Sequence, residues 1–240
     1  MFQGLPIATI LAAFAGGIIP TMIWLQFWLR EDNKENREPP FLLILTFVGG
    51  MMIVPLLIPI ENMVYHAVAQ PEVAIGINAF LEEFSKYVIV ALIAFGSGYI
   101  DEPNNYAIYL ITGALGFAGL ENTLYLLESF NGSDVALVFF TGNLRFIGST
   151  VLHAVSSGFL GVILGLAFYH SKTSKIIHGI IGLAVATVLH GFFNFFIIEG
   201  STENIIAVFG VTWIAAIVLL LVFEKLRSMS HFKKAEPYSL

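Results

Sequence analysis

The chain of 240 residues is too apolar for a soluble globular protein, because 57% of its residues are hydrophobic and only 12% are charged. Soluble domains have about 25% charged residues. The absence of cysteine excludes disulfide bonds, thiolate metal sites and a cysteine nucleophile. The net charge of −6 contains no long basic run, so no nucleic-acid partner is expected.

The composition instead predicts an all-α membrane protein. A membrane-spanning helix needs roughly 20 apolar residues, and seven segments of the chain meet this requirement. In chain order they are Leu5–Leu29, Phe41–Ile60, Glu72–Phe95, Tyr106–Glu128, Thr141–Tyr169, Ile176–Ile198 and Asn204–Phe223. We expect Pro55 and Pro59 to kink or shorten the second span.

Basic residues outside these spans fall on alternate connections. They are Arg30, Lys34 and Arg37 in the first connection, Lys172 and Lys175 in the fifth, and Lys225, Arg227, Lys233 and Lys234 in the C-terminal tail. The second, fourth and sixth connections and the N-terminal tail contain none. Lys and Arg concentrate on the cytoplasmic side of membrane proteins. The pattern therefore predicts an extracytoplasmic N-terminus and a cytoplasmic C-terminus.

Four of the predicted spans contain polar or charged residues at similar depths, in the middle to outer half of the membrane. These residues are Glu82, Glu83, Lys86, Glu121, Asn122, Arg145, His153, His190 and Asn194. A charge at the bilayer centre costs about 2.5–3.5 kcal/mol on insertion scales. A set of this size therefore predicts a functional polar interior.

Helical spacing brings several of these residues onto shared faces. Lys86 lies four residues after Glu82 and three after Glu83, so it can neutralise one carboxylate and leave the other free as a general base. The sequence does not decide which glutamate is which. His190 and Asn194 are likewise one turn apart.

The fifth span carries a polar stripe at intervals of four residues. Its members are Arg145, Ser149, His153 and Ser157. At the outer end of this stripe, Arg145 is expected to pair with Glu128 from the preceding span.

Carboxylate, imidazole and amide groups together suit hydrolysis by an activated water. In one reading a glutamate removes the proton from water, and His and Asn groups serve the leaving amine and the oxyanion. In the other, Glu82, His153 and His190 bind zinc with an open position for water. Two further classes stay open: a proton- or ion-coupled transporter, and a non-catalytic membrane scaffold.

Residues 82–86 read EEFSK, which matches the EExxK motif of the PrsW family of bacterial intramembrane proteases. Three further segments resemble that family's motifs in the same order: residues 116–122, which end in Glu-Asn; His153 with Ser157; and His190 with Asn194 in the pattern HxxxN. The resemblance covers about Gly76 to Phe196, half of the chain.

The resemblance implies a role for each matched residue. Glu82 would be the base that activates water, with His153, His190 and Asn194 around the water and the oxyanion. Glu83 and Lys86 would orient the base, while Glu121 and Asn122 would support the site. A metal is not favoured, and zinc on Glu82, His153 and His190 is the alternative.

The PrsW family is distantly related to the CAAX prenyl protease and bacteriocin-processing family, whose motifs are EExxxR, FxxxH and HxxxN. This chain departs from that branch at two positions. Lys86 stands one residue before the expected arginine, and Ser149 replaces the phenylalanine four residues before His153. Both differences favour the PrsW branch.

The resemblance also implies a substrate and a location. The expected activity is cleavage of a single-span membrane protein near the extracytoplasmic side, as in the site-1 cleavage of an anti-sigma factor. We expect one polytopic protease domain over residues 1–240, with a catalytic core at about 72–198. Its surroundings would be the lipid bilayer of a bacterial plasma membrane, which the chain crosses several times.

Overall fold

The computed structural model describes residues 5–32, 37–131, 143–198 and 202–235, and these ranges are helical without a strand. The helices are α1 (Ile7–Trp28), α2 (Pro40–Ala67), α3 (Pro71–Val90), α4 (Asn105–Asn131), α5 (Thr150–Leu166), α6 (Lys172–Ile198) and α7 (Thr202–Ala235). A π-helical turn at Ala91–Phe95 extends α3, and another at Arg145–Ser149 precedes α5. The predicted all-α membrane class is confirmed.

Each predicted span coincides with one of these helices. Six are long and apolar enough to cross a membrane. The other is α3, whose 20 residues and five-residue π-helical turn include Glu72, Glu82, Glu83 and Lys86. Thr141, where the fifth predicted span begins, lies outside the described residues, as does Lys34 in the first connection.

Helix α2 corrects the expectation that its prolines shorten the second span. It runs for 28 residues through both Pro55 and Pro59 and ends at Ala67, seven residues beyond the predicted end at Ile60. Proline removes one hydrogen bond from a helix interior. Membrane helices tolerate this loss because neighbouring helices and local adjustments compensate the freed carbonyl groups.

Helices α4 and α5 form the interior of the bundle, and α4 packs against α1, α2 and α5. The crossing of α2 and α4 depends on close backbone approach. A Cβ atom on Gly116 of α4 would lie 1.9 Å from the carbonyl oxygen of Phe47, and one on Gly50 would lie 1.9 Å from that of Gly113. Glycine at these positions lets the two backbones touch.

A polar cluster joins the α1–α2 connection to the start of α4. The buried carboxylate of Glu38 accepts hydrogen bonds from the side chains of Asn105 and Tyr109. The backbone N–H of Glu38 donates to the carboxylate of Asp32 at 3.2 Å. Burial raises the pKa of Glu38 to about 7, against the lowering effect of the Tyr109 hydroxyl, and the Asp32 carboxylate raises it further. This cluster fixes the connection at one end of the bundle.

Candidate active site

Glu83 on α3 is held by three donors from three helices. Its Oε1 accepts hydrogen bonds from Lys86 Nζ and His190 Nδ1, each at 2.7 Å, and its Oε2 accepts one from Ser157 Oγ at 2.8 Å. None of these four side chains is more than 1% exposed. Because an ionised carboxylate only accepts, His190 carries its proton on Nδ1 and leaves Nε2 free of it in the neutral form.

Lys86 also determines the tautomer of His153. Its Nζ lies 3.0 Å from Nδ1 of His153 and 4.6 Å from the centre of the Phe117 ring. Since an ammonium group only donates, Nδ1 of His153 accepts and its proton resides on Nε2. That N–H donates to Oε2 of Glu121 at 3.1 Å.

Arg145 supports Glu121 from the π-helical turn before α5. Its guanidinium donates to the carboxylate of Glu121 and to the side-chain oxygen of Asn122, and it lies 3.8 Å from the centre of the Tyr125 ring. The expected pairing of Arg145 with Glu128 is therefore wrong. Glu128 lies two helical turns further along α4 and is exposed, whereas the π-helical turn places the guanidinium level with Glu121.

Glu82 differs from Glu83 in having an unused oxygen. Its Oε2 is buried but accepts no hydrogen bond from any side chain within the described ranges. The atom lies 3.7 Å from Lys86 Nζ and 3.7 Å from His190 Nε2, beyond hydrogen-bonding distance. Glu83 is thus fully hydrogen-bonded, whereas Glu82 accepts no hydrogen bond within the described ranges.

A cavity of about 410 Å³ lies directly beside Glu82. Its polar lining includes Glu61, Asn78, Glu82, Glu121, His153 and Asn194. Apolar side chains such as Phe193 and Phe209 line the rest. A space of this size is typical of a ligand-binding site, and most of the residues that line it are polar.

The cavity belongs to one end of the bundle. Its lining comes from the C-terminal halves of α2, α4 and α6, from the N-terminal halves of α5 and α7, from the π-helical turn before α5 and from α3 between Ile75 and Glu82. Successive membrane-spanning helices run in opposite directions, so all these segments lie at one end. The Glu38 cluster and the connection from α5 to α6 lie at the other.

Most of the predicted site residues meet in this cluster. Asn194 borders the cavity one turn from His190, while His190 and Glu83 lie behind Glu82. Asn122 lies beside this cluster: its side-chain oxygen accepts from Arg145, and its amide donates to Thr150 Oγ1 at 2.8 Å, which ties α4 to α5.

Glu61 and Asn78 border the cavity but were missed by the sequence analysis. Glu61 was placed outside the second span because that span was expected to end at Ile60. Asn78 lies one helical turn before Glu82, at the same spacing that separates Glu82 from Lys86. Continuing that spacing backwards along α3 would have found it.

Glu82, His153 and His190 could hold a metal ion, since they offer three ligand atoms within 4.8 Å of one another. Glu82 and His190 fit such a site well. The Nδ1–H of His190 bonded to Glu83 is the arrangement that orients metal-binding histidines. His153 fits less well, because Lys86 and Glu121 engage both of its nitrogens, and the Lys86 ammonium lies 3.0 Å from Nδ1.

A bundle of membrane-spanning helices that encloses carboxylates and imidazoles beside a cavity defines a polytopic membrane protein with an intramembrane hydrolytic site. Residues 38–223 match the family described as PrsW family intramembrane metalloprotease. The chain therefore belongs to the PrsW family, as the sequence motifs predicted. It is a membrane protease, a hydrolase of peptide bonds that crosses the bacterial cell membrane several times.

The chain is similar over most of its length to proteins named Protease PrsW. It is 25% identical to the one from Shouchella clausii over 94% of this chain and 99% of that relative. It is 25% identical to the Bacillus subtilis protein over 77% and 82%, and 26% identical to the Clostridioides difficile protein over 94% and 90%. No solved structure matches the chain.

Proposed function

We propose that this protease is an endopeptidase that uses Glu82 to activate water and cuts a single-span membrane protein near its extracytoplasmic side. The observation that carries the proposal is the contrast between two adjacent glutamates. Glu82 borders the cavity and accepts no hydrogen bond from a described residue, its Oε2 lying 3.7 Å from Lys86 Nζ and from His190 Nε2, whereas Glu83 is fixed by three donors.

The proposed reaction begins with water in the cavity. Glu82 takes a proton from this water, and the resulting hydroxide oxygen forms a bond to the carbonyl carbon of the substrate peptide. The C–N bond then breaks, and the proton held by Glu82 passes to the leaving amine. The products are a carboxylic acid and an amine, so atoms and charges balance.

Asn194 supplies an amide donor to the oxygen that becomes negative, and His153 supplies its Nε2–H when that group turns from Glu121 to the substrate. Both border the cavity from different helices, so a carbonyl group placed beside Glu82 lies between them. Glu83 and His190 act as positioning residues: Glu83 orients His190, and Nε2 of His190 lies 3.7 Å from Glu82. Preorganised donors of this kind are a large source of catalytic rate.

The position of Lys86 is the reason for proposing a mechanism without a metal ion. Its ammonium lies 3.7 Å from Glu82 and 3.0 Å from His153, where it compensates negative charge and repels a second cation. The alternative, suggested by the family's description, is a metal held by Glu82, His153 and His190. A zinc ion there would polarise the water and the substrate carbonyl.

The proposed side of cleavage follows from the topology. The cavity lies at the end of the bundle opposite the first and fifth connections, which carry Arg30, Arg37, Lys172 and Lys175. Because basic connections face the cytoplasm, the cavity faces the extracytoplasmic side. This orientation supports a substrate of the anti-sigma-factor type, whose extracytoplasmic segment would enter the cavity.

The test uses a panel of single-span model proteins. Each has a cytoplasmic reporter domain, a Leu/Ala membrane helix and a different extracytoplasmic juxtamembrane segment, including segments from anti-sigma factors. Cleavage is measured for the purified wild type, for Glu82→Gln and for the matched control Glu128→Gln, which changes an exposed glutamate outside the cavity. Metal content of the same samples is measured by mass spectrometry.

We expect the wild type and Glu128→Gln to cut at least one member of the panel, and Glu82→Gln to be inactive, without stoichiometric metal in any sample. One zinc per chain that is lost on chelation together with activity would overturn the metal-free mechanism. Equal cleavage by Glu82→Gln and wild type would overturn the role of Glu82, and no cleavage by the wild type would overturn the proposed substrate class.

A further inference from the structure

Asn78 carries a buried side-chain amide with no hydrogen-bond partner among the described residues. The side chain is 5% exposed, and neither Oδ1 nor Nδ2 makes a hydrogen bond within the described part of the chain. An unsatisfied buried polar group is unfavourable by about 1–3 kcal/mol. A ligand that supplies both a donor and an acceptor would satisfy the side-chain amide of Asn78.

The position of Asn78 indicates where that ligand lies. It borders the same cavity as Glu82, one helical turn earlier on α3. Since α3 starts at the end of the bundle to which the cavity belongs, Asn78 lies between that end and the proposed base. A molecule that enters the cavity from this end passes Asn78 before it reaches Glu82.

A peptide about to be cut inside a membrane has an unusual need for partners. Helix-breaking must first expose the scissile bond, and the backbone N–H and C=O groups of the unwound residues then lose their helical hydrogen bonds. In the absence of bulk water, each unsatisfied group is strongly unfavourable. An asparagine amide offers one carbonyl acceptor and an NH₂ donor, which match one peptide N–H and one peptide C=O.

We propose that Asn78 binds the main chain of the unwound substrate through its side-chain amide, and so positions the scissile bond beside Glu82. This inference rests on the proposed endopeptidase function and adds a substrate-binding residue to it. Main-chain recognition accepts many side chains, so Asn78 holds the peptide without selecting its sequence.

The experiment compares Asn78→Leu, which keeps the approximate shape of the side chain and removes the amide, with wild type. The probe is the member of the model-protein panel that the wild type cuts fastest. Thr46→Val is the matched control, because Thr46 is also fully buried with an unpartnered hydroxyl and lies outside the cavity lining. Asn78→Ala is the second variant if Asn78→Leu does not fold.

We expect KM to rise about five- to tenfold in Asn78→Leu, with kcat within about twofold, since hydrogen bonds to the bound main chain are lost in ground state and transition state alike. Thr46→Val should leave both constants unchanged. A structural role alone would lower the amount of active enzyme and would not raise KM.

A second measurement ties the effect to the substrate main chain. Ester bonds replace the peptide bonds of the probe one position at a time near the cleaved bond, which removes one backbone N–H at each position. At one position the ester should raise KM for the wild type but not for Asn78→Leu, because the amide partner is already gone.

The inference fails if Asn78→Leu cuts with wild-type constants, or if every ester raises KM by the same factor in both proteins. Because the wild type is active in either case, the proposed function would stand. If the wild type cuts no member of the panel, the proposed function and this inference fail together.

Discussion

Replacement of Glu83 by glutamine tests whether Glu83 has a structural role and Glu82 a catalytic one. Glu83 accepts hydrogen bonds from Lys86, His190 and Ser157, and the substitution leaves the ammonium of Lys86 buried without its closest anion. Loss of one partner from a buried ion pair destabilises a protein by roughly 3–5 kcal/mol. At about 2–4 °C per kcal/mol for a chain of this size, Tm should fall by roughly 6–20 °C.

Glu82→Gln should behave differently. The Oε2 of Glu82 has no hydrogen-bond partner among the described residues and lies 3.7 Å from Lys86, so Tm should change by less than about 3 °C. Both variants should lose cleavage, Glu82→Gln through chemistry and Glu83→Gln through loss of the arranged site. Activity alone therefore cannot separate the two residues, but stability can.

The assay is thermal unfolding of the purified protein in detergent, followed by tryptophan fluorescence, for wild type, both single variants and the double variant Glu83→Gln/Lys86→Met. Removal of both charges should restore much of the stability that Glu83→Gln loses, without restoring cleavage. Equal Tm values for the two single variants, or a lower value for Glu82→Gln, would refute the assignment of Glu83 as the structural carboxylate.

Three further outcomes are expected. Gly116→Ala should lower the free energy of unfolding by about 1–3 kcal/mol, because its Cβ would meet a carbonyl oxygen of α2. Gly210→Ala should leave it unchanged, since a Cβ there would have no atom within 4 Å, and unfolding measurements compare the two variants. Arg145→Met should lower kcat about tenfold or more, because Glu121 loses the cation that holds it against the site histidine. Unfolding between pH 4.5 and 7 should show stability falling as pH rises, since Glu38 has a pKa raised from 4.5 to about 7, and Glu38→Gln should remove up to about 3 kcal/mol of that dependence.

Each of these has an outcome that contradicts it. Equal stability of the two glycine variants would mean that the α2–α4 crossing adjusts freely. Unchanged kcat in Arg145→Met would remove Arg145 from the support of the site. A pH dependence that survives Glu38→Gln would assign it to other groups.

The fold and most of the site were predictable because both depend on patterns along single helices. The apolar segments gave the helices, and the spacing of Glu82 with Lys86 and of His190 with Asn194 gave shared faces. The seven-span pattern also brought four polar helices to a common depth. These features follow from helical periodicity and from the cost of charge in hydrocarbon.

Other features depended on contacts between helices and were not predictable. The choice of Glu82 over Glu83 as the free carboxylate depends on Ser157 and His190 reaching Glu83 from other helices. The partner of Arg145 depends on a π-helical turn, which the apolar pattern does not indicate. Glu61 was missed because the second span was expected to end at Ile60, whereas α2 continues to Ala67.

The passage of α2 through two prolines has a mechanical consequence. Neither Pro55 nor Pro59 can donate a backbone hydrogen bond to the carbonyl one turn earlier, so α2 lacks two helical hydrogen bonds within five residues. The segment from Glu61 to Ala67 is thus joined to the rest of α2 by its most compliant stretch. Because Glu61 and Tyr65 border the cavity, one wall of that cavity is elastic, while the wall formed by α3 is continuous.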